Sequence, residues 1–159
     1  MKTSDIDRTA KAKEILSNIR YITIASASSG AEPWGTPVLA AFDQQFNFYW
    51  TSLNSTQHSK NIRENPSVYL TCFDSTVLPS DSNGVYIKAL ATEVSDPDEI
   101  AKAVDLVYTR KGKPKREVSE FLGDSPKRVY KAVPEKCWVN LSFDVKNDPE
   151  NAKKEISLA

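Results

Sequence analysis

Alternation with a period of two restricts the fold of this chain more than any other feature. In residues 66–74, PSVYLTCFD, Val68, Leu70 and Cys72 interleave with Tyr69, Thr71 and Phe73. An extended segment of that pattern has one apolar side that another layer must cover. Similar strand-like segments recur as YITIASA (21–27), WGTPVLAAFD (34–43), QFNFYWTS (45–52) and GVYIKALATEV (84–94), with one or two closing strands in RVYKAVPEKCWVNLSFD (128–144). SSGAEP (28–33) and STVLPSDSNG (75–84) supply the turn and loop residues between them.

Helical patterns are few. Residues 4–20 place Ile6, Ala10, Ile15, Leu16 and Ile19 on or near one stripe. Residues 96–108 begin Asp96-Pro97 with Glu99 three positions after the cap, a box-like helix start. VSEFLG (118–123) is short enough for a helical turn, RKGKPKR (110–116) reads as a basic loop, and the residues after Lys146 form a polar tail expected to fray. Consecutive strands with few helices argue against an alternating parallel α/β sheet. They predict a mainly β, α+β fold: a small antiparallel barrel with helices packed outside, in one domain over residues 1–146 followed by a tail over 147–159.

Composition narrows the function classes. At 159 residues and 40% hydrophobic, the chain can bury a core without disulfide or metal staples. Lys plus Arg equals Asp plus Glu, at 21 each, so no global field draws it to nucleic acid or to a membrane surface. Cys72 and Cys137 lie in apolar strand segments and read as buried free thiols. With one His and no CxxC, a metal site built by the protein is not expected. The N-terminus lacks the apolar core of a signal peptide and no run approaches membrane-spanning length, so the expected location is cytoplasmic.

Chemistry concentrates in residues 48–66, FYWTSLNSTQHSKNIRENP, where an aromatic strand passes through hydroxyl and amide side chains into a helix. Ser55 is placed to cap a helix over residues 56–64 that Asn65-Pro66 ends. A helix start offers free N–H groups and partial positive charge, which suits a phosphate. Thr51, Ser52, Asn54, Thr56, His58 and Ser59 surround it. If Ile62 docks the helix, His58 and Ser59 point inward near the capped end. A Ser/Thr-rich loop of this kind also forms as plain turn chemistry without a ligand.

The succession TIASAS…G…PWGTPVLAAFD…FNFYWTSLNSTQHSKNIRENPSVYLTCFDS…GVYIKALATEVSD, resuming at FLGDSPKRVYKAVPEKCWVN, resembles the pyridoxamine 5′-phosphate oxidase-like family of FMN-binding split barrels. The signature is a strand, then TS, then S-x-x-H-S-x-N-I-x-x-N-P-x-V. The resemblance implies a six-stranded antiparallel split barrel, a homodimer, and FMN in a cleft between subunits. It places the phosphate loop on Thr51, Ser52, His58 and Ser59. It sets the backbone around Thr36, Pro37 and Val38 along the isoalloxazine edge, and it makes Trp138 the aromatic that reaches the flavin from the partner subunit. Trp34 and Trp50 read as packing residues.

The family's basic pair falls near Gln57 and His58, its substrate-contacting lysine falls on Ala40, its flavin-contacting glutamine on Gly84, and its arginine-rich closing segment has no counterpart. The resemblance therefore implies an FMN-dependent oxidoreductase acting on a small-molecule redox substrate, but not on pyridoxamine phosphate. Two alternatives stay open: a non-catalytic flavin- or haem-binding protein on the same barrel, and a deazaflavin-dependent reductase. No catalytic acid or base stands out. Tyr86 and Lys88 fit cleft lining and ordinary strand exposure equally well. RKGKPKR fits a solvated loop or a seat for an anionic substrate.

Overall fold

The computed structural model describes residues 7–158. The chain forms β1 (Tyr21–Ala27), β2 (Pro33–Leu39), β3 (Ala41–Phe42), β4 (Phe48–Leu53), β5 (Ser67–Phe73), β6 (Gly84–Val94), β7 (Lys127–Asn140) and β8 (Lys153–Ile156). Helices α1 (Arg8–Asn18), α2 (Gln57–Glu64), α3 (Pro97–Lys111) and α4 (Ser142–Asn147) pack around them. The strands join one antiparallel sheet in the order β2-β1-β5-β6-β7-β4-β3, with β8 added to β7. The sheet curls into a split barrel, as the strand pattern predicts.

The strand count exceeds the expected six for two reasons. Residues 33–42 break at Ala40, whose N–H donates to Arg20 O at 3.3 Å, so β2 pairs with β1 and β3 with β4. The second reason is β8. Its residues fall in the stretch expected to fray, yet they pair with Cys137–Asn140 of β7, while Ala152 and Leu158 are buried. Pro134 explains how the edge becomes available. The β6–β7 register shifts between Lys88 and Ala89, opposite Lys136 and Pro134, a bulge that tolerates a residue with no N–H. Before it β7 pairs with β4, and beyond it with β8. LSFD, read as the end of a strand, instead enters α4, where buried Asp144 pairs with Arg8 at 2.5 Å.

Helix starts follow local chemistry. Asp7 accepts from Ala10 N at 2.9 Å to open α1, later than residue 4; Ser4 and Ile6 lie outside the described residues. Asp96 accepts from Glu99 N at 2.8 Å and Pro97 takes the first turn of α3, as the sequence implies. Arg110 and Lys111 belong to the last turn of α3 and not to the basic loop, which begins at Gly112 in a left-handed conformation with φ 64°. Residues 118–121 form the anticipated helical turn.

Two apolar cores result. Ile22, Ile24, Leu70, Val85, Ile87, Trp50 and Tyr130 fill the barrel, closed by Ala12 and Leu16 of α1. Tyr49, Val94, Ile100, Val104, Val107, Phe121 and Val129 lie between the barrel wall and α3. Cys72 and Cys137 are buried free thiols, as expected, and burial pushes their pKa values up to about 11 and about 12. Among the described residues no helix is long and apolar enough to cross a membrane.

Leu158 is part of the barrel core at 7% exposure. Leu158→Ala is expected to lower unfolding stability by about 2–3 kcal/mol, the cost of an emptied core site. Urea denaturation measures it, and an unchanged midpoint would show that the C-terminal segment does not dock.

Candidate functional site

The end of β4 and the start of α2 converge on Thr56. This residue, and not Ser55, is the N-cap of α2, with extended backbone at φ −67° and ψ 154°. Its Oγ1 lies 3.0 Å from Leu53 O, 2.8 Å from Ser59 Oγ, 3.3 Å from Ser52 Oγ and 3.3 Å from His58 Nε2. Ser59 Oγ in turn donates to Leu53 O at 2.9 Å. The hydroxyl cluster thus fixes the strand-to-helix turn through mutual hydrogen bonds. Thr56 makes no side-chain bond to the first-turn amides of α2, so it leaves those donors uncapped.

The inward face of α2 is as helix spacing predicts: His58, Ser59 and Ile62 are all buried. Asn61 joins them, donating through Nδ2 to Ser26 Oγ at 3.1 Å and accepting from Gln57 Nε2 at 2.8 Å. Asn61 sits three residues after His58, and that spacing is the signal that could have found it. The His58 ring meets Tyr130 edge-on, with centroids 6.5 Å apart, and Tyr130 stacks on Trp50 at 5.7 Å. Burial disfavours the imidazolium and lowers the His58 pKa from its ordinary value, which favours the neutral ring at this corner.

Thr51 and Ser52 diverge. Successive strand residues face opposite sides. Ser52 turns with Phe48 and Trp50 toward the hydroxyl cluster, whereas Thr51 turns with Tyr49 toward α3 and accepts from Lys111 Nζ at 3.1 Å. Lys111, 60 residues away in sequence, carried no local signal. The guanidinium groups near this end of β4 are engaged. Arg63 donates to Asn54 O at 3.0 Å, and Arg128 donates to Glu93 at 2.9 Å, to Gly123 O at 2.7 Å and to Ser125 O.

β2 ends the strand path, so one of its backbone edges has no ladder partner among the described residues. Thr36 and Val38 pair opposite Ile24 and Ile22 on the inner side, and Pro37 faces the other way. Thr36 Oγ1 is buried with no hydrogen-bond partner among the described residues. Trp138 lies apart, on the outer face of β7, stacked on Tyr69 at 6.2 Å and lying under Lys153 Nζ at 5.4 Å. One chain therefore gathers Ser52, Thr56, His58 and Ser59 and leaves Trp138 on a different surface. Trp34 is half exposed and Trp50 fully buried.

A profile of the family described as "Pyridoxamine 5′-phosphate oxidase" matches residues 9–140. The chain belongs to that family. Its fold is shared with a heme binding protein from Mycobacterium smegmatis (13% identity, 96% of this chain, 58% of that chain, TM-score 0.75). It is shared also with a conserved hypothetical protein from Mycobacterium tuberculosis (15% identity, 92% of each chain, TM-score 0.73). An "F420 Reductase" aligns at 19% identity over 79% of this chain and 94% of its own, with a TM-score of 0.59. No curated protein matches the chain in sequence.

Against the pyridoxamine 5′-phosphate oxidase family pattern, the departures have physical settings. Ala40 is buried at the strand break and leaves no amine there. Gly84 is buried, and a Cβ at this position would stand 3.0 Å from the Tyr86 hydroxyl, so a longer side chain requires Tyr86 to move. Tyr86 is itself half-buried, while Lys88 is exposed and pairs with Glu135 at 3.3 Å.

The lowered His58 pKa has a stability consequence. Below the ordinary value of 6.5 the unfolded chain binds a proton that the folded chain resists. The contribution is therefore complete above that pH and is lost as pH falls toward the folded-state value. Urea unfolding at about pH 7.5 and about pH 5.5 should show a loss in the wild type that His58→Gln reduces. Equal slopes in the two proteins would place His58 in solvent.

Proposed function

We propose that the chain is an FMN-dependent oxidoreductase, a homodimer acting on a small-molecule redox substrate other than pyridoxamine phosphate. The observation that carries this reading is a corner rich in neutral donors at the start of α2, a helix that packs against β2, whose outer edge is unpaired among the described residues. Ser52, Thr56 and the uncapped start of α2 offer hydroxyl and amide donors to a phosphate. The free edge of β2 offers backbone groups, and the orphaned Thr36 Oγ1 offers a hydroxyl, to the heteroatoms of a flavin ring.

The residues present fit such a group. Ser52 and Thr56 would hold the phosphate, Ser59 would hold the turn through Leu53 O, and Thr36, Pro37 and Val38 would border the ring. FMN, when bound, supplies hydride exchange, and the protein's part is to seat, orient and electrostatically tune it. His58 positions Thr56 in its neutral form. In the proposed dimer Trp138 meets the flavin of the partner, which accords with its place on an outer face away from its own α2.

The absence of lysine at Ala40 removes the amine that a pyridoxamine phosphate oxidase uses on its substrate, which supports a different substrate. The haem alternative draws on fold neighbours that are described as heme binding and heme storage proteins. It is weakened because the single imidazole is buried and tied to Thr56, and both thiols are buried with raised pKa values.

The purified protein is expected to be yellow and to release FMN on denaturation, identified by mass and spectrum. NADH or NADPH should reduce the bound flavin. A haem or deazaflavin spectrum, or no uptake of added FMN, would overturn the assignment. Ser52→Ala combined with Thr56→Val removes two bonds worth about 1.5–3 kcal/mol each to a charged acceptor. FMN Kd should then rise by roughly a hundredfold or more, with riboflavin affinity unchanged.

A further inference from the structure

The outer face of β4 carries a second set of donors. A cleft of about 190 Å³ has Thr51, Leu53, Tyr108, Phe121 and Lys127 among its lining residues. Lys111 touches two of these residues: its Nζ donates to Thr51 Oγ1 at 3.1 Å and stands 4.5 Å from the Tyr108 ring centroid. Tyr108 and Phe121 meet edge-to-face at 6.5 Å and give the cleft aromatic walls.

The unusual feature is what Lys111 lacks. Lys115 pairs with Asp105 at 3.5 Å, Arg116 with Glu120 at 4.0 Å, and Lys127 with Glu120 at 3.2 Å. Among the described residues no carboxylate stands within ion-pair distance of Lys111, although the group is partly buried. Burial, with Lys113 nearby, pushes its pKa down. Helix capping does not use the ammonium either, because Gly112 N and Lys113 N already satisfy Thr109 O and Tyr108 O at 3.0 and 3.1 Å. Apart from the C-terminal dipole of α3, this partly desolvated cation meets only a hydroxyl and a ring, with no anion against it. The hydroxyl it meets is also a donor. Thr51 Oγ1 accepts from Lys111, and no acceptor for its own proton is recorded among the described residues.

We propose that Lys111 and Thr51 form a seat for a phosphomonoester, entered through the Tyr108–Phe121 cleft with Lys127 at its rim. The ammonium keeps two further N–H donors and the hydroxyl one, a set that matches the oxygens of a dianion. The seat lies on the face of β4 opposite the Ser52–Thr56–Ser59 cluster, so it is a second anion seat, distinct from that corner and carrying a full positive charge. With the flavin phosphate of the proposed function at Ser52 and Thr56, the occupant of this second seat is a phosphate carried by the substrate, and the seat itself does not rest on the FMN reading.

Titrating inorganic phosphate into the full chain, with chloride at matched ionic strength as control, separates these outcomes by amide chemical shifts. Saturable shifts at Thr51, Tyr108, Lys111 and Phe121 are expected. Lys111→Met should weaken them by roughly tenfold or more, and Lys111→Arg should retain them. Should Lys111→Met fail to fold, Thr51→Val reads the same seat. FMN displacing phosphate where riboflavin does not would move the flavin phosphate from Ser52 and Thr56 to this seat and overturn the substrate phosphate as its occupant. FMN binding alongside phosphate would identify the substrate. Phosphate binding with no FMN uptake would keep the seat and overturn the flavin reading. No shifts at these residues, or equal shifts in Lys111→Met, would overturn the seat.

Discussion

Burial of β4 on both faces is the constraint on which the rest of the structure depends. Phe48, Tyr49 and Trp50 are consecutive, and none is more than 1% exposed. Adjacent strand residues face opposite sides, so such a run is stable only if two layers cover it. The barrel interior takes Phe48 and Trp50, and α3 takes Tyr49. With α3 fixed against one side and α2 starting beside the other, the end of β4 becomes the point where two helix termini approach a single strand. The hydroxyl cluster and Lys111 are consequences of that sandwich.

Much of this was legible in the chain, and the limits have physical causes. Alternation in residues 68–73 gives β5 its inward Val68, Leu70 and Cys72, because a half-exposed strand writes its facing into its sequence. FYW does not, since a strand covered on both sides has no polar face to mark register. β8 was hidden for a different reason. KKEI carries no strong strand signal, and it pairs because Pro134 and its bulge change the partner of β7. The break at Ala40 likewise depends on Arg20 O, a distant acceptor.

The candidate site divides in the same way. His58, Ser59 and Ile62 share a helical face, which spacing alone predicts, and all three are buried. Thr51 and Ser52 look like one pair of hydroxyls in sequence, but the pleat sends them to different layers. Burial against Tyr130 favours the neutral ring of His58. Composition counts an imidazole, whereas its protonation depends on neighbours from β7.

The two ends of β4 differ in how completely their polar groups are matched. Near β3, Asp43 accepts from Gln45 N and Asn47 N at 3.0 and 2.9 Å and from Lys102 Nζ at 2.7 Å, which holds its pKa down to about 2 against the cost of burial. Tyr49 Oη bridges Asp43 and Glu99, and Lys131 closes the network on Glu99 at 2.6 Å. That closure supports the left-handed φ of 58° at Phe46, which costs a bulky residue about 1–2 kcal/mol. Stacking of Phe46 on Phe42 at 5.1 Å helps to offset it. At the α2 end donors outnumber acceptors: the hydroxyls of Thr56 and Ser59 share Leu53 O, the helix start is uncapped by Thr56, and no carboxylate among the described residues stands within ion-pair distance of Lys111. A buried network that is complete stabilises a turn, and one with surplus donors is stabilised by an anion from outside. The imbalance along one strand therefore points to the α2 end as the place for a ligand, whichever flavin or substrate phosphate fills it.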